Sequence, residues 1–131
     1  MIGIDTHILL RLWLDDAPAQ NKRIDTLLAE YGSTPGALLV TDVVLAEAVW
    51  TLRAAFDQGK GKQLIALQSL LQETVFAFED RQAVTDAVAL FEISSCGFSD
   101  CLIVIKHRQQ ASEFTATLDR GMRKLPGVKL V

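Results

Sequence analysis

Short apolar runs of strand length alternate along this chain with longer stretches whose apolar residues have helical spacing. Residues 2–5 form a first apolar run, which predicts a buried strand. Residues 6–14 follow with apolar side chains that recur about every four positions, a spacing typical of one face of a helix. The same criteria predict further strands at 37–41, 74–78, 114–118 and 128–131, and further helices at 17–31, 43–59, 62–72, 81–95 and 100–109.

Polar residues and a glycine mark the ends of several predicted helices. Asp16 is expected to cap the second helix, with Pro18 in its first turn, and Gly32 is expected to end it. Asp80 and Ser99 are expected to cap the last two helices. Because the strands are separated by helices, the chain predicts βαβ units. The expected fold is therefore α/β, with a mainly parallel sheet and helices on both of its faces.

Length and composition favour one folded domain over residues 1–131. A chain of 131 residues with 50% apolar and 22% charged residues can build a core, which excludes a disordered protein. No apolar stretch reaches the roughly 18 residues needed to cross a bilayer. No basic flank precedes the first apolar run, as it would in a signal peptide. A cytoplasmic location without membrane contact is therefore expected.

Charge and cysteine usage narrow the classes of function. The net charge of −3 is not that of a general nucleic-acid binder, but the charges are unevenly distributed. Residues 1–100 carry 7 Lys and Arg against 14 Asp and Glu, a net −7, whereas residues 101–131 carry 6 against 2, a net +4. This asymmetry indicates a basic rim near an acidic site, or an uneven surface without function.

Cys96 and Cys101 lack the partners of a zinc site and are expected to be reduced thiols.

Acidic residues stand at predicted strand ends and helix starts. Asp5 ends the first strand and Asp119 follows the fourth, and ligands of open α/β sheets bind at the carboxyl ends of strands. If these strands are neighbours, about 4.8 Å apart, the two carboxylates can share an ion. Glu47 lies in the apolar segment VVLAEAVW, where an ionised side chain is costly unless it is paired or bound to a metal. Asp100 begins a helix, whose dipole favours a negative charge.

Each of these acids also has a purely structural interpretation. Asp5 could cap a helix, and Asp100 could be the N1 residue of a capped helix. Glu47 could face solvent or pair with an arginine, and Asp119 could be a turn residue before Gly121. Four clustered carboxylates, in contrast, would repel one another unless a cation neutralised them. Mg²⁺ or Mn²⁺ suits such oxygen ligands and can activate water for phosphodiester hydrolysis.

Four segments of the sequence resemble, in order and spacing, the motif blocks of PIN-domain ribonucleases. The resemblance is strongest to the small VapC-like toxins of prokaryotic toxin–antitoxin pairs. The segments are IGIDTHILLRLWLDD, TDVVLAEAVWTL, GFSDCLIVI and FTATLDRGMRKLPGVKLV, so the resemblance spans essentially the whole chain. Asp5, Glu47, Asp100 and Asp119 match the four acids of the family, and Thr6 matches its small hydroxyl residue.

This resemblance implies a fold, a reaction and partners. The fold would be a PIN-like three-layer α/β/α domain with a mainly parallel sheet of order 3-2-1-4-5. The reaction would be Mg²⁺- or Mn²⁺-dependent hydrolysis of RNA phosphodiester bonds. The partners would be a second copy of the chain, in a homodimer, and a cognate antitoxin that blocks the acidic pocket.

Hypothetical roles follow from the same match. Asp5 and Asp100 would hold the principal metal ion, and Glu47 and Asp119 would complete the cluster or position a second ion. The hydroxyl of Thr6 would hold a carboxylate or the attacking water. The remaining candidates would either steer RNA phosphates toward the acidic pocket or form a solvated turn, and they are Arg120, Arg123 and Lys124.

The sequence leaves open the roles of several residues and the choice among several functions. His7 stands where the family commonly has Asn, and it either touches substrate or simply occupies the first turn of its helix. Trp13, Trp50 and Phe56 are expected in the core from their helical spacing, and would suggest dimer or antitoxin contacts if exposed.

The competing functions are a catalytically silent PIN-like module that binds RNA or protein, a phosphotransfer receiver module, and a flap-type DNA nuclease. The pattern of acids disfavours the receiver, and the chain length disfavours the flap nuclease.

Overall fold

Short strands and six α-helices make up the fold, as the computed structural model of Met1–Val131 shows. The strands are β1 (Ile2–Gly3), β2 (Leu38–Val40), β3 (Phe76–Phe78), β4 (Thr115–Thr117) and β5 (Val128–Leu130). The helices are α1 (Thr6–Trp13), α2 (Pro18–Tyr31), α3 (Asp42–Phe56), α4 (Lys60–Gln72), α5 (Arg81–Ile93) and α6 (Phe98–Gln109), with a 3₁₀ helix at Met122–Lys124. None of the helices combines the length and the apolar character that a membrane crossing requires.

The chain divides into two compact units, Met1–Arg81 and Gln82–Val131. In the first unit, three parallel strands pair in the order β1-β2-β3. Ile2 lies opposite Leu38, and Leu38 lies opposite Phe76. Because parallel neighbours cannot be joined by a tight turn, each connection is a helical crossover: α1 and α2 lead to β2, and α3 and α4 lead to β3.

Apolar side chains of the central strand and the helices form the core of the first unit. Leu38 and Val40 of β2 have no exposed surface, as expected for a strand that is covered on both sides. Leu9 of α1, Leu45 of α3 and Leu67 of α4 are equally buried. Burial of one such side chain contributes about 1.5–3 kcal/mol. Helix α1 packs against both α2 and α3, so the segment that follows Asp5 is held firmly.

The second unit contains α5, α6 and a two-stranded parallel sheet of β4 and β5. Phe91 and Phe98 meet edge to face, with ring centroids 6.1 Å apart, a geometry that adds about 0.5–1.5 kcal/mol beyond area burial. Cys101 is buried and Cys96 half-buried, and neither forms a disulfide.

An α/β fold with parallel strands is confirmed, whereas the full strand order is not shown. Hydrogen-bonded pairs join β1, β2 and β3 in one sheet and β4 and β5 in another. The expected order 3-2-1-4-5 would need a further pairing between the first and fourth strands.

Two predicted helix caps are wrong. The residue before α2 is Ala17, which makes no capping bond, because Asp16 instead accepts a hydrogen bond from Nη1 of Arg11. Helix α6 begins after Gly97, so Ser99 lies inside its first turn rather than before it. Local sequence rules found these helices but could not foresee that a side chain from α1 would engage the capping aspartate.

The expected burial of the aromatic residues is also wrong at one position. Trp50 is 66% exposed on α3, while Trp13 and Phe56 are half-buried. Val43, seven residues before Trp50 and on the same helix face, is 73% exposed. An apolar strip on α3 therefore faces solvent.

Candidate active site

The carboxylate of Asp5 caps helix α1. Strand β1 ends at Gly3, earlier than predicted, and Asp5 has an extended backbone with φ −90° and ψ 178°. Its Oδ1 accepts a hydrogen bond of 3.0 Å from the backbone N–H of Ile8, one of the free donors of the first turn. Because only Oδ1 makes this bond, Oδ2 remains available to another ligand. The structural interpretation of Asp5 is therefore confirmed, and a second role stays compatible with it.

Thr6 and His7 follow Asp5 in the first turn of α1. Thr6 is half-buried, and its hydroxyl makes no hydrogen bond within the protein. His7 is exposed and lines a groove together with Asp5. The role of Thr6 stays a prediction. The structure places His7 in the groove beside Asp5.

Glu47 lies on the solvent-facing side of α3. Its side chain is exposed and takes part in no salt bridge or side-chain hydrogen bond. The charge of Glu47 therefore carries no burial cost, contrary to the expectation from the apolar segment, because the side chain is exposed to water. Its neighbours on the same helix face, Val43 and Trp50, are the exposed apolar residues that made the segment look like a buried helix.

Asp100 and Asp119 form an interacting pair in the second unit. Partial burial raises the pKa of Asp100 above its ordinary value, a backbone hydrogen bond from Gly97 lowers it, and the nearby charge of Asp119 raises it, with a net increase. Asp119 follows β4 and is exposed, and its Oδ1 accepts a 2.8 Å hydrogen bond from the N–H of Gly121. Its own N–H donates to Oγ1 of Thr117 at 3.0 Å. The turn interpretation of Asp119 is thus correct, and it brings the carboxylate to Asp100.

The four candidate acids are divided equally between the units, with Asp5 and Glu47 in the first and Asp100 and Asp119 in the second. Neither unit contains three or more His, Cys, Asp and Glu side chains placed to hold a metal ion. The predicted convergence of all four acids stays a prediction. Asp100 and Asp119 are the two candidate acids whose charges interact, and a metal role for this pair stays a prediction.

Basic side chains follow Asp119 directly. Arg120 precedes the 3₁₀ helix, and Arg123 and Lys124 lie within it. All three are exposed, and none takes part in a salt bridge. Their positive charges are therefore available to an anionic ligand, and their role in substrate binding stays a prediction.

A groove of about 420 Å³ beside Asp5 was not foreseen from the sequence. It lies between α1 and α2, and both helices contribute polar and apolar residues. A local signal was present in ILLRLW, where Arg11 interrupts an apolar stripe four positions after His7 and so shares its helix face. The lining residues are Asp5, His7, Ile8, Arg11, Gln20, Arg23, Ile24 and Leu27.

Comparison with known protein families matches residues 2–128 to the PIN domain model. No curated protein and no solved structure gives a significant match. The matched range contains the four candidate acids, the basic residues after Asp119 and all residues that line the groove.

Proposed function

Because this chain belongs to the PIN domain family, whose members are generally nucleases, we propose that it is a Mg²⁺- or Mn²⁺-dependent endoribonuclease and the toxin of a toxin–antitoxin pair. The family match over residues 2–128 carries this proposal. It is supported by the state of the four candidate acids, because none of them is neutralised by a salt bridge. The whole chain, residues 1–131, would act as one PIN domain.

The proposed metal ligands are Asp5, Glu47, Asp100 and Asp119. A bound divalent ion would lower the pKa of a coordinated water and stabilise the charge that develops on the phosphate. The cap bond to Ile8 fixes the direction of the Asp5 carboxylate and leaves one of its oxygens for the ion. Asp100 and Asp119 gain most from a cation, since it would relieve the repulsion between them.

Residues near these acids would handle the RNA. Arg120, with Arg123 and Lys124, would attract the phosphates toward an otherwise negative region. The hydroxyl of Thr6, which has no partner in the protein, would orient a carboxylate or the attacking water.

The proposed partners are a second copy of the chain, a cognate antitoxin in the cytoplasm and the RNA substrate. The exposed apolar strip at Val43 and Trp50 of α3 supports a protein contact, because buried aromatic anchors are enriched at such interfaces. Light scattering of the purified chain tests the dimer, and a monomer at micromolar concentration would count against it.

Cleavage of RNA by the purified chain tests the nuclease. We expect activity that EDTA abolishes and Mg²⁺ or Mn²⁺ restores. Asp100→Asn and Asp5→Asn should each reduce the rate by about 10²-fold or more, as expected when a group that stabilises the transition-state charge is lost. Glu92→Gln, on an exposed carboxylate of α5, serves as the matched control and should keep full activity. Metal-independent cleavage, or unchanged cleavage by Asp5→Asn, would refute the proposal.

The cap bond of Asp5 requires a second control. Asparagine is an equally good cap, so Asp5→Asn should retain stability within about 0.5 kcal/mol, whereas Asp5→Ala should lose about 0.5–2 kcal/mol. Both variants should lose about 10²-fold or more of the cleavage rate, and urea unfolding measures the difference in their stability. Activity that followed stability, high in Asp5→Asn and low in Asp5→Ala, would show that only the cap matters.

A catalytically silent PIN-like module is the second candidate. It is favoured by one observation, the lack of a group of three or more metal-binding side chains within either unit. Such a module would bind RNA or a protein partner in EDTA and in Mg²⁺ alike and release no fragments. The cleavage assay separates the two candidates directly.

A further inference from the structure

The groove between α1 and α2 combines cationic and apolar side chains at the position of Asp5. We propose that it is a subsite for one nucleotide of an RNA strand, a proposal that rests on the ribonuclease function above. Its volume of about 420 Å³ lies within the range of about 300–1,000 Å³ typical of small-molecule sites. On α2 the lining residues recur with the spacing of a single helix face, and they are Gln20, Arg23, Ile24 and Leu27.

Arg11 is the strongest indication of an anionic ligand. Its side chain is only 8% exposed, and its Nε is buried without a hydrogen-bond partner. Nη1 donates to Oδ1 of Asp16, and Cζ lies 5.7 Å from the ring centroid of Phe56. These contacts engage Nη1 and one face of the guanidinium, whereas Nε, on the edge that it shares with Nη2, makes no hydrogen bond within the protein. A phosphate matches that edge, because its oxygens accept two parallel hydrogen bonds from arginine.

The remaining lining residues divide into a polar mouth and an apolar floor. Arg23, His7 and Gln20 are exposed and supply donors at the surface. Ile24 is buried and Ile8 half-buried, and together they offer an aliphatic surface. A nucleotide has this same division between a charged phosphate and a flat base whose two faces can pack on apolar side chains, whereas inorganic phosphate would leave the floor unused.

The segment between the two helices keeps the groove open without a ligand. Asn21 Nδ2 donates to Oδ1 of Asp15 at 2.6 Å, which ties α2 to the connecting segment. Arg11 ties α1 to the same segment through Asp16. Because both helices are anchored, little ordering is needed on binding, which favours affinity.

Asp5 at the edge of the groove decides how the nucleotide lies. Its carboxylate repels a phosphate, so the phosphate of the bound nucleotide would lie toward Arg11 and Arg23. The adjoining phosphate of the strand would then lie next to Asp5, where the metal ion is proposed. The groove would thus hold the nucleotide beside the bond that is cleaved.

Fluorescence anisotropy with a labelled single-stranded RNA oligonucleotide, in EDTA, tests the subsite without metal and without cleavage. We expect Arg23→Ala to weaken binding about tenfold, the value of one charge-assisted hydrogen bond. Arg11→Lys keeps the charge and the partner Asp16 but loses the planar edge, and should weaken binding by a similar factor. Arg53→Ala, on an exposed arginine of α3 that lies outside the groove, is the matched control and should bind within about twofold of wild type. Thermal unfolding verifies that each variant is folded.

Competition with small probes identifies the ligand class. A nucleoside monophosphate should displace the RNA at lower concentration than inorganic phosphate or a nucleoside, and Arg23→Ala should remove this advantage. Unchanged RNA affinity in Arg23→Ala, equal competition by inorganic phosphate, or no RNA binding by the wild type would overturn the subsite. If the wild type binds through these arginines but cleaves no RNA, the nuclease fails and the subsite stands. If it cleaves RNA and Arg23→Ala binds and cleaves normally, only the subsite fails.

Discussion

Asp5 and Asp119 each make a local structural hydrogen bond with one carboxylate oxygen and keep a charge that a ligand could neutralise. Asp5 uses one oxygen for the N–H of Ile8, and Asp119 uses one for the N–H of Gly121. Such bonds determine the orientation of the side chain while leaving the charge without a counterion. A helix cap and a candidate metal ligand are therefore not competing interpretations, because the cap provides the orientation that a ligand needs.

The raised pKa of Asp100 predicts a pH-dependent effect of Asp100→Asn. A carboxyl whose pKa is higher in the folded state binds its proton more tightly when folded, so stability falls as the pH rises from the ordinary value of 3.8 through the raised value. Asp100→Asn removes this loss. In EDTA the variant should be more stable than the wild type at pH 7, and the difference should vanish toward pH 3. Urea unfolding at several pH values measures it, with Asp25→Asn as an exposed control. A less stable variant at pH 7 would contradict the prediction.

Helix α1 contributes residues to the core of the first unit, begins after the capping residue Asp5 and lines the groove. Leu9 and Leu10 are buried in the first unit, Asp5 caps the helix, and Arg11 faces the groove with α2. Eight residues suffice because the helix packs against both α2 and α3. An isolated helix of this length would not be stable in water, so tertiary packing maintains the position of Asp5.

The glycine at the end of α2 lies where the backbone leaves no room for a side chain. The N–H of Gly32 donates to the carbonyl of Leu28 at 2.8 Å, and a Cβ at Gly32 would lie 2.8 Å from that same oxygen. Gly32→Ala should therefore cost about 1–3 kcal/mol, because backbone must move. Gly61→Ala, in α4 with nothing within 4 Å of its Cβ, should instead stabilise by about 0.5–1 kcal/mol. Chemical denaturation measures both changes, and equal effects at the two glycines would contradict the account.

At the scale of the whole molecule, charge is distributed unevenly between the two ends of the chain. The net charge is −7 over residues 1–100 and +4 over residues 101–131. The basic side chains after β4 are exposed, and so are the acids at Asp5 and Glu47. The basic side chains would attract the phosphates of an RNA strand, and the acids would hold a divalent cation.

Binding of Mg²⁺ should stabilise the entire folded chain. A ligand that binds only the folded state raises the free energy of unfolding, by about 2.7 kcal/mol at a hundredfold excess over Kd. Differential scanning fluorimetry should therefore show a melting temperature that rises by several degrees as Mg²⁺ is added. Asp100→Asn should lose most of this shift, and Asp25→Asn should keep it. A shift of the same size in both variants would show that the ion binds elsewhere.

The sequence alone determined the helices, the parallel strands and the candidate acids, since these depend on residue periodicity and on order along the chain. Gly32 as the end of α2 was equally predictable, because the signal is local. The caps at Asp16 and Ser99, the exposure of Trp50 and the hydration of Glu47 were not, because each depends on which residues from distant elements lie nearby. Only the tertiary structure placed Arg11, with an unsatisfied Nε, in a groove that it shares with residues of α2. Periodicity shows which face of a helix is apolar, but only packing decides what that face meets.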